Sequence, residues 1–102
     1  MTTTLLVIGT FRLPPDQLAA ARPVMRRMID ASRAEPGCLD YGYAEDVLDP
    51  GLIHVTERWA DQVALDRHFA SPHIAQWRGT WPSLGIGERR LSIYEVGEAR
   101  AT

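Results

Sequence analysis

The sequence contains no lysine, because all eleven of its basic residues are arginines. This absence excludes a lysine Schiff base or lysine nucleophile, and with it pyridoxal phosphate chemistry. The one cysteine, Cys38, cannot form a disulfide within the chain. The longest apolar run, from Leu5 to Ile8, is far shorter than the ~20 residues of a membrane-spanning helix.

The chain also has no excess of positive charge, since its net charge is −2 at pH 7. Binding to nucleic acid through phosphate groups is therefore not expected. The first residues, Met1 to Thr4, have no basic flank of the kind that opens a signal peptide. Together with the lack of a disulfide, this predicts a cytoplasmic protein that does not enter a membrane.

What remains is an ordinary globular composition of 102 residues, with 45% hydrophobic and 24% charged residues. This length and composition predict a single domain, 1–102, with its core at about 4–96. The periodicity of apolar residues predicts four strands and three helices in the order β-α-β-β-α-α-β. The predicted strands are Thr4–Leu13, Cys38–Asp46, Leu52–Trp59 and Glu88–Val96.

The predicted helices begin at residues with good capping side chains or proline. The first runs from Asp16 to Ala34 with a kink at Pro23, or alternatively breaks at Arg22. The second runs from Asp61 to Ala70. The third begins at Ser71 and passes through Trp77, after which glycines and prolines from residue 79 onward predict an irregular segment.

This order of elements predicts a ferredoxin-like α+β fold, a four-stranded antiparallel sheet with helices on one face. The first strand is apolar on both faces, since Leu5 and Val7 alternate with Leu6 and Ile8. A second copy of the sheet would cover the open face, and we therefore expect a face-to-face homodimer. The alternative is that the segment 78–88 folds over this face.

Histidine and glutamate supply the candidate chemistry. His68 shares a helical face with Leu65, so its imidazole should face the sheet and could act as a general base. Glu57 lies on the same strand face as Trp59 and could orient His68. His73 follows the Ser71 cap. The spacing of the three histidines does not match a metal-binding pattern, and no metal site is expected.

These residues, from Glu57-Arg58-Trp59 through His68 to Ser71-Pro72-His73, resemble the antibiotic biosynthesis monooxygenase (ABM) domain family. Further resemblance lies in Glu35-Pro36-Gly37-Cys38-Leu39, Asp49-Pro50 and Ser92-Ile93-Tyr94-Glu95, so that it spans roughly residues 5–96. The resemblance implies a dimeric α+β barrel. Where oxygenases of this family carry an asparagine and a tyrosine, this chain has Val55 and Leu65.

The resemblance implies a cofactor-independent monooxygenase that oxidises an aromatic phenol or quinol with O₂. In this hypothesis His68 is the base or oxyanion partner, Trp59 a pocket wall and N–H donor, and Glu57 the residue that orients His68. Substrate contacts are expected from four further residues, Tyr41, Phe69, His73 and Trp77.

Two other functions fit the same residues. One is a small-carbonyl isomerase in which His68 and Glu57 shuttle a proton. The other is a non-catalytic ligand-binding dimer. A cavity of roughly 300 Å³ or more beneath Trp59 and His68 would favour an enzyme, and tight packing there would favour a scaffold.

Overall fold

The computed structural model describes residues 3–102 and contains four strands and three helices. A 3₁₀ turn at Pro15–Gln17 precedes the first helix. The elements in chain order are β1 (Thr4–Arg12), α1 (Leu18–Arg33), β2 (Cys38–Glu45), β3 (Leu52–Trp59), α2 (Gln62–Phe69), α3 (Pro72–Leu84) and β4 (Gly87–Val96). The strands form one antiparallel sheet in the order β2-β3-β1-β4, which confirms the ferredoxin-like α+β fold.

The two faces of the sheet have different surroundings, as the alternation in β1 predicts. Leu5, Val7 and Phe11 are buried against the helices, on the inner face. Ile8 points the other way and is 44% exposed on the outer face. The same alternation in β3 buries Val55 and Glu57 on the inner face. The candidate site residues of β3 therefore face the helices.

Helix α1 passes through Pro23 without a break, so the alternative of a break at Arg22 is wrong. A proline inside a helix costs about 3 kcal/mol, because it removes a hydrogen bond and crowds the preceding turn. The helix is maintained by a buried stripe that extends to both sides of the proline, and its members are Ala21, Met25, Met28 and Ser32. Tertiary packing thus outweighs the local preference.

Helix α3 is longer than the sequence predicts. The expected irregular segment after Trp77 is wrong, since the helix continues through Gly79 and Pro82 to Leu84. It ends at Gly85, whose φ of 69° suits a residue without a side chain. Burial of Trp77 and Leu84 compensates for the two helix-breaking residues.

No segment within residues 3–102 covers the outer face of the sheet. Residues 78–84 belong to α3, on the inner side, so they do not fold over the outer face as the alternative required. Leu6 and Tyr94 are paired on this face, and Tyr94 is 52% exposed. No helix within residues 3–102 is long and apolar enough to cross a membrane.

Strands β1 and β4 approach closely at Gly9. A β-carbon at this position would lie 1.8 Å from the carbonyl oxygen of Arg90, which is backbone and cannot move aside alone. We therefore expect Gly9→Ala to lower the free energy of unfolding by at least about 2 kcal/mol.

Gly79 is the matched control, since a β-carbon added at this position of α3 would have no other atom within 4 Å. Gly79→Ala should raise the free energy of unfolding by roughly 0.5–1 kcal/mol, because alanine favours the helix. Urea denaturation of the two variants measures both effects. Equal stability of Gly9→Ala and the wild type would contradict the close contact.

Candidate active site

A cavity of about 360 Å³ lies between the inner face of the sheet and the helices, which exceeds the roughly 300 Å³ that favours an enzyme over a scaffold. All four strands and all three helices contribute to its lining. Six of its sixteen lining residues are aromatic: Phe11, Tyr41, Tyr43, Phe69, Trp77 and Trp81. Its polar residues are Glu57, His68, Arg78 and Arg89. A cavity of this size and composition accepts a small planar molecule.

His68 lies in the last turn of α2 and lines this cavity, with only 2% of its side chain exposed. Its Nδ1–H donates to Oε1 of Glu35 over 3.0 Å. Burial lowers the pKa of His68, and the neighbouring Glu35 carboxylate partly offsets this effect. The lowered pKa favours the neutral imidazole, and the Glu35 carboxylate beside Nδ1 favours the tautomer with its proton on Nδ1 and its lone pair on Nε2.

Nε2 is the ring nitrogen of His68 that Glu35 does not bind. It makes no hydrogen bond within residues 3–102, and its nearest carboxylate oxygen, Oε1 of Glu57, is 3.8 Å away. Glu57 is itself part of the cavity wall. The arrangement leaves an unprotonated nitrogen available to a hydroxyl group of a bound molecule.

Glu57 lies near His68 but makes no hydrogen bond to it within residues 3–102, so the role of Glu57 in orienting the imidazole stays a prediction. Oε1 of Glu57 instead accepts a hydrogen bond of 3.0 Å from the indole N–H of Trp59, two residues along the same strand face. Glu35 binds Nδ1 of the imidazole, from the short connection between α1 and β2. The sequence marks Glu35 only as part of the helix stop Glu35-Pro36-Gly37, and nothing in that motif indicates a contact with α2.

Trp59 also differs from its predicted position. It is completely buried behind the cavity wall, and its N–H is directed to Glu57 rather than to a ligand. Its ring packs against His68 with 4.6 Å between ring centroids. Trp59 thus supports the imidazole from behind.

The other predicted contact residues divide into two groups. Tyr41, Phe69 and Trp77 do line the cavity. His73 does not line this cavity. It contacts Oε1 of Glu35 and lines a separate hollow of about 230 Å³.

Tyr43 is a cavity residue that the sequence did not single out. Its hydroxyl shares a hydrogen bond of 2.7 Å with that of Tyr41, and burial raises the pKa of both groups above the ordinary value. Both tyrosines therefore remain neutral hydrogen-bonding groups. The Tyr43 ring stacks on Trp77 with 5.8 Å between centroids. The alternation of β2 could have placed Tyr43 beside Tyr41, since both lie on one strand face.

Two further features describe the charge of the site. Burial raises the pKa of Glu57 to about 7, and the hydrogen bond from Trp59 and the charge of Arg89 only partly offset this rise.

Glu35, His68 and His73 bring one ligand atom each to within 4.8 Å of one another, and no other such group of three occurs within residues 3–102. These three residues are the ones that could hold a metal ion.

The fold and cavity define a class of small α+β domains with a cavity between an antiparallel sheet and its helices. Within that class, the family model described as antibiotic biosynthesis monooxygenase matches residues 4–80. This match covers most of the chain, and the chain therefore belongs to the antibiotic biosynthesis monooxygenase family.

Individual relatives agree with this membership. A Mycobacterium tuberculosis protein, "Putative monooxygenase Rv0793", is 38% identical over 78 residues, or 76% of each chain. Its solved structure aligns with a TM-score of 0.74 and 31% identity, over 96% of this chain and 97% of that one. A Synechocystis relative, "Uncharacterized protein sll1783", is 28% identical over 96 residues, which are 94% of this chain but 65% of that protein.

A crystal structure from Deinococcus radiodurans is similar over the whole fold. It is described as "a putative antibiotic biosynthesis monooxygenase" and aligns with a TM-score of 0.88 at 30% identity. The alignment covers 96% of this chain and 97% of that one.

The raised pKa of Glu57 predicts a specific dependence of stability on pH. The folded protein holds this proton up to about pH 7, whereas the ordinary value is 4.5. The contribution of Glu57 to the free energy of unfolding should therefore be most favourable below pH 4.5. This contribution should be lost as the pH rises to about 7. Glu57→Gln stays neutral and still accepts from Trp59, so at pH 8 it should be more stable than the wild type, by at most about 3 kcal/mol.

Unfolding in urea at pH 5 and pH 8, with a chelator present, measures this difference. At pH 5 the variant and the wild type should differ much less than at pH 8. Glu95→Gln, which alters an exposed residue of β4, serves as the control and should follow the wild type. A Glu57→Gln variant that is destabilised at pH 8 would contradict the assignment.

Proposed function

We propose that this protein is a monooxygenase that oxidises an aromatic phenol or quinol with O₂ in the cavity beneath the sheet. The observation that carries the proposal is the position of His68, which lines the cavity and keeps Nε2 free while Glu35 holds Nδ1. Membership of the monooxygenase family supports the same chemistry.

The first step is removal of a proton from the substrate hydroxyl. Nε2 of His68 accepts this proton, and the Glu35 carboxylate stabilises the imidazolium that forms. The Tyr41 and Tyr43 hydroxyls and the arginines at the cavity wall stabilise the resulting oxyanion. The aromatic lining keeps water away, which preserves the anion as an electron donor.

The second step is the reaction with O₂. The electron-rich anion transfers one electron to O₂, and the two radicals combine so that a C–O bond forms at a ring carbon. For an anthrone, the ring CH₂ becomes a carbonyl and the second oxygen atom leaves as water. One O₂ is consumed per substrate, and the substrate supplies all the electrons.

An oxygen electrode with an anthrone and a hydroquinone panel tests this proposal. His68→Ala should lower kcat/KM by about 100-fold or more, because the base is lost. Glu35→Gln should lower it less, since the imidazole remains but its orientation and charge stabilisation are weakened. Gln62→Ala is the control, because Gln62 is an exposed residue of α2, away from both the cavity wall and the outer face, and its side chain bonds Asp66.

Absence of O₂ uptake over the whole panel would contradict the proposal. Exchange of solvent deuterium into a small ketone without O₂ consumption would instead indicate the isomerase. Equal loss of activity in Gln62→Ala and His68→Ala would show that the effect is unspecific.

The working form of the protein is, we propose, a homodimer that joins the outer faces of two sheets. The outer face presents Ile8 at 44% exposure beside the Leu6–Tyr94 pair, and no segment within residues 3–102 covers it. Covering this apolar area from water is favourable, and a second identical sheet offers a matching surface.

Ile8→Glu tests the dimer because it places a charge at the centre of the proposed interface. Light scattering coupled to gel filtration should show twice the chain mass for the wild type and a shift to the monomer for this variant. Val63→Glu, at a 57% exposed position of α2, is the control and should stay dimeric. A monomeric wild type, or a dimer in all three proteins, would contradict this interface.

A further inference from the structure

Two imidazoles and one carboxylate converge behind the cavity wall. The ligand atoms of Glu35, His68 and His73 all lie within 4.8 Å of one another. Both imidazoles contact the same carboxylate oxygen, Oε1 of Glu35, through Nδ1 of His68 and Nε2 of His73. The carboxylate therefore lies between the two rings.

The hydrogen bonds of this cluster are incomplete. Nε2 of His73 and Oε2 of Glu35 are both buried without a hydrogen-bond partner within residues 3–102. The contact between His73 and Oε1 does not have the direction of a hydrogen bond, although the two atoms are close. Buried polar atoms without a hydrogen-bond partner are rare in folded proteins, and a bound cation gives both of these atoms a partner.

The backbone holds the three residues in a fixed arrangement. Glu35 follows the end of α1, His68 lies in the last turn of α2, and His73 lies in the first turn of α3. Ser71 joins the two helices, since its hydroxyl donates to the His68 carbonyl over 2.6 Å and accepts from the Ile74 N–H. The positions of the donors thus do not depend on a flexible loop.

We infer that this cluster binds one divalent transition-metal ion through Nδ1 of His68, Nε2 of His73 and the Glu35 carboxylate. Two imidazoles and a carboxylate suit zinc-like ions, whereas calcium and magnesium prefer oxygen ligands alone. Two ligands of a tetrahedral ion, each about 2.1 Å from the ion, are roughly 3.4 Å apart. The three donor atoms of the cluster all lie within 4.8 Å of one another, so they can surround one ion.

Solvent can reach the cluster from the side of His73. Its side chain is 21% exposed and lines the hollow of about 230 Å³, whereas that of His68 is 2% exposed. The charge of Arg78 acts on His68 and opposes a cation, while the Glu35 carboxylate favours one.

Metal binding would change the role of His68, a consequence that rests on the proposed function. An ion at Nδ1 displaces the proton that Glu35 now accepts, so the neutral ring must carry its proton on Nε2. Nε2 then donates a hydrogen bond and no longer accepts a proton. The metal-bound state would therefore be the inactive one.

Titration of metal-free, untagged protein with Co²⁺ tests the site without any substrate, and its outcome is independent of the proposed activity. We expect the visible absorption bands of protein-bound Co²⁺ to saturate at one equivalent, with competition by Zn²⁺. His73→Ala and Glu35→Gln should each weaken binding at least about 10-fold, because each removes or weakens one ligand.

His54→Ala is the matched control, since it removes an exposed histidine outside the cluster. It should bind Co²⁺ as the wild type does. The inference is overturned if the wild type shows no saturable binding, if His73→Ala binds as tightly as the wild type, or if His54→Ala loses as much affinity as His73→Ala.

Discussion

The hydrogen bond between Nδ1 of His68 and Glu35 is the interaction on which the site depends. It connects the end of α1 to the last turn of α2, and so fixes the helices to each other beneath the sheet. By occupying Nδ1, Glu35 selects the tautomer in which Nε2 accepts a proton from a bound molecule. Trp59 packs against the imidazole from behind and limits its movement. The cavity wall contains six aromatic residues and can hold a planar ligand against this one nitrogen.

The cavity requires that the sheet and the helices stay apart where β1, β2 and α3 face each other. Large aromatic rings separate these layers, and Phe11 and Tyr43 both contact Trp77. Elsewhere the layers pack tightly, and Trp59 and Leu65 are completely buried. Filled and open regions thus lie side by side in one small domain. The stability of the fold comes from the filled part, and the open part is left for a ligand.

The sequence predicted the order of elements along the chain and the inner face of β3, because alternation at a period of two is a local property. It also placed His68 toward the sheet, since the buried face of α2 repeats with the helical period. The extension of α3 through Pro82 was not predictable locally, because distant packing outweighed the proline. The contact of Glu35 with His68 joins residues 33 positions apart, and spacing rules do not describe such pairs. For the same reason the histidine spacing gave no indication of the Glu35, His68 and His73 cluster.

The tautomer of His68 tests the central claim most directly, and ¹⁵N NMR of the imidazole in chelator-treated protein measures it. The account predicts a protonated Nδ1 and an unprotonated Nε2 in the wild type at pH 7, and partial loss of this preference in Glu35→Gln. A wild-type ring protonated on Nε2, or one that exchanges freely between tautomers as in a peptide, would contradict the account. In that case Glu35 would not position a base at the cavity.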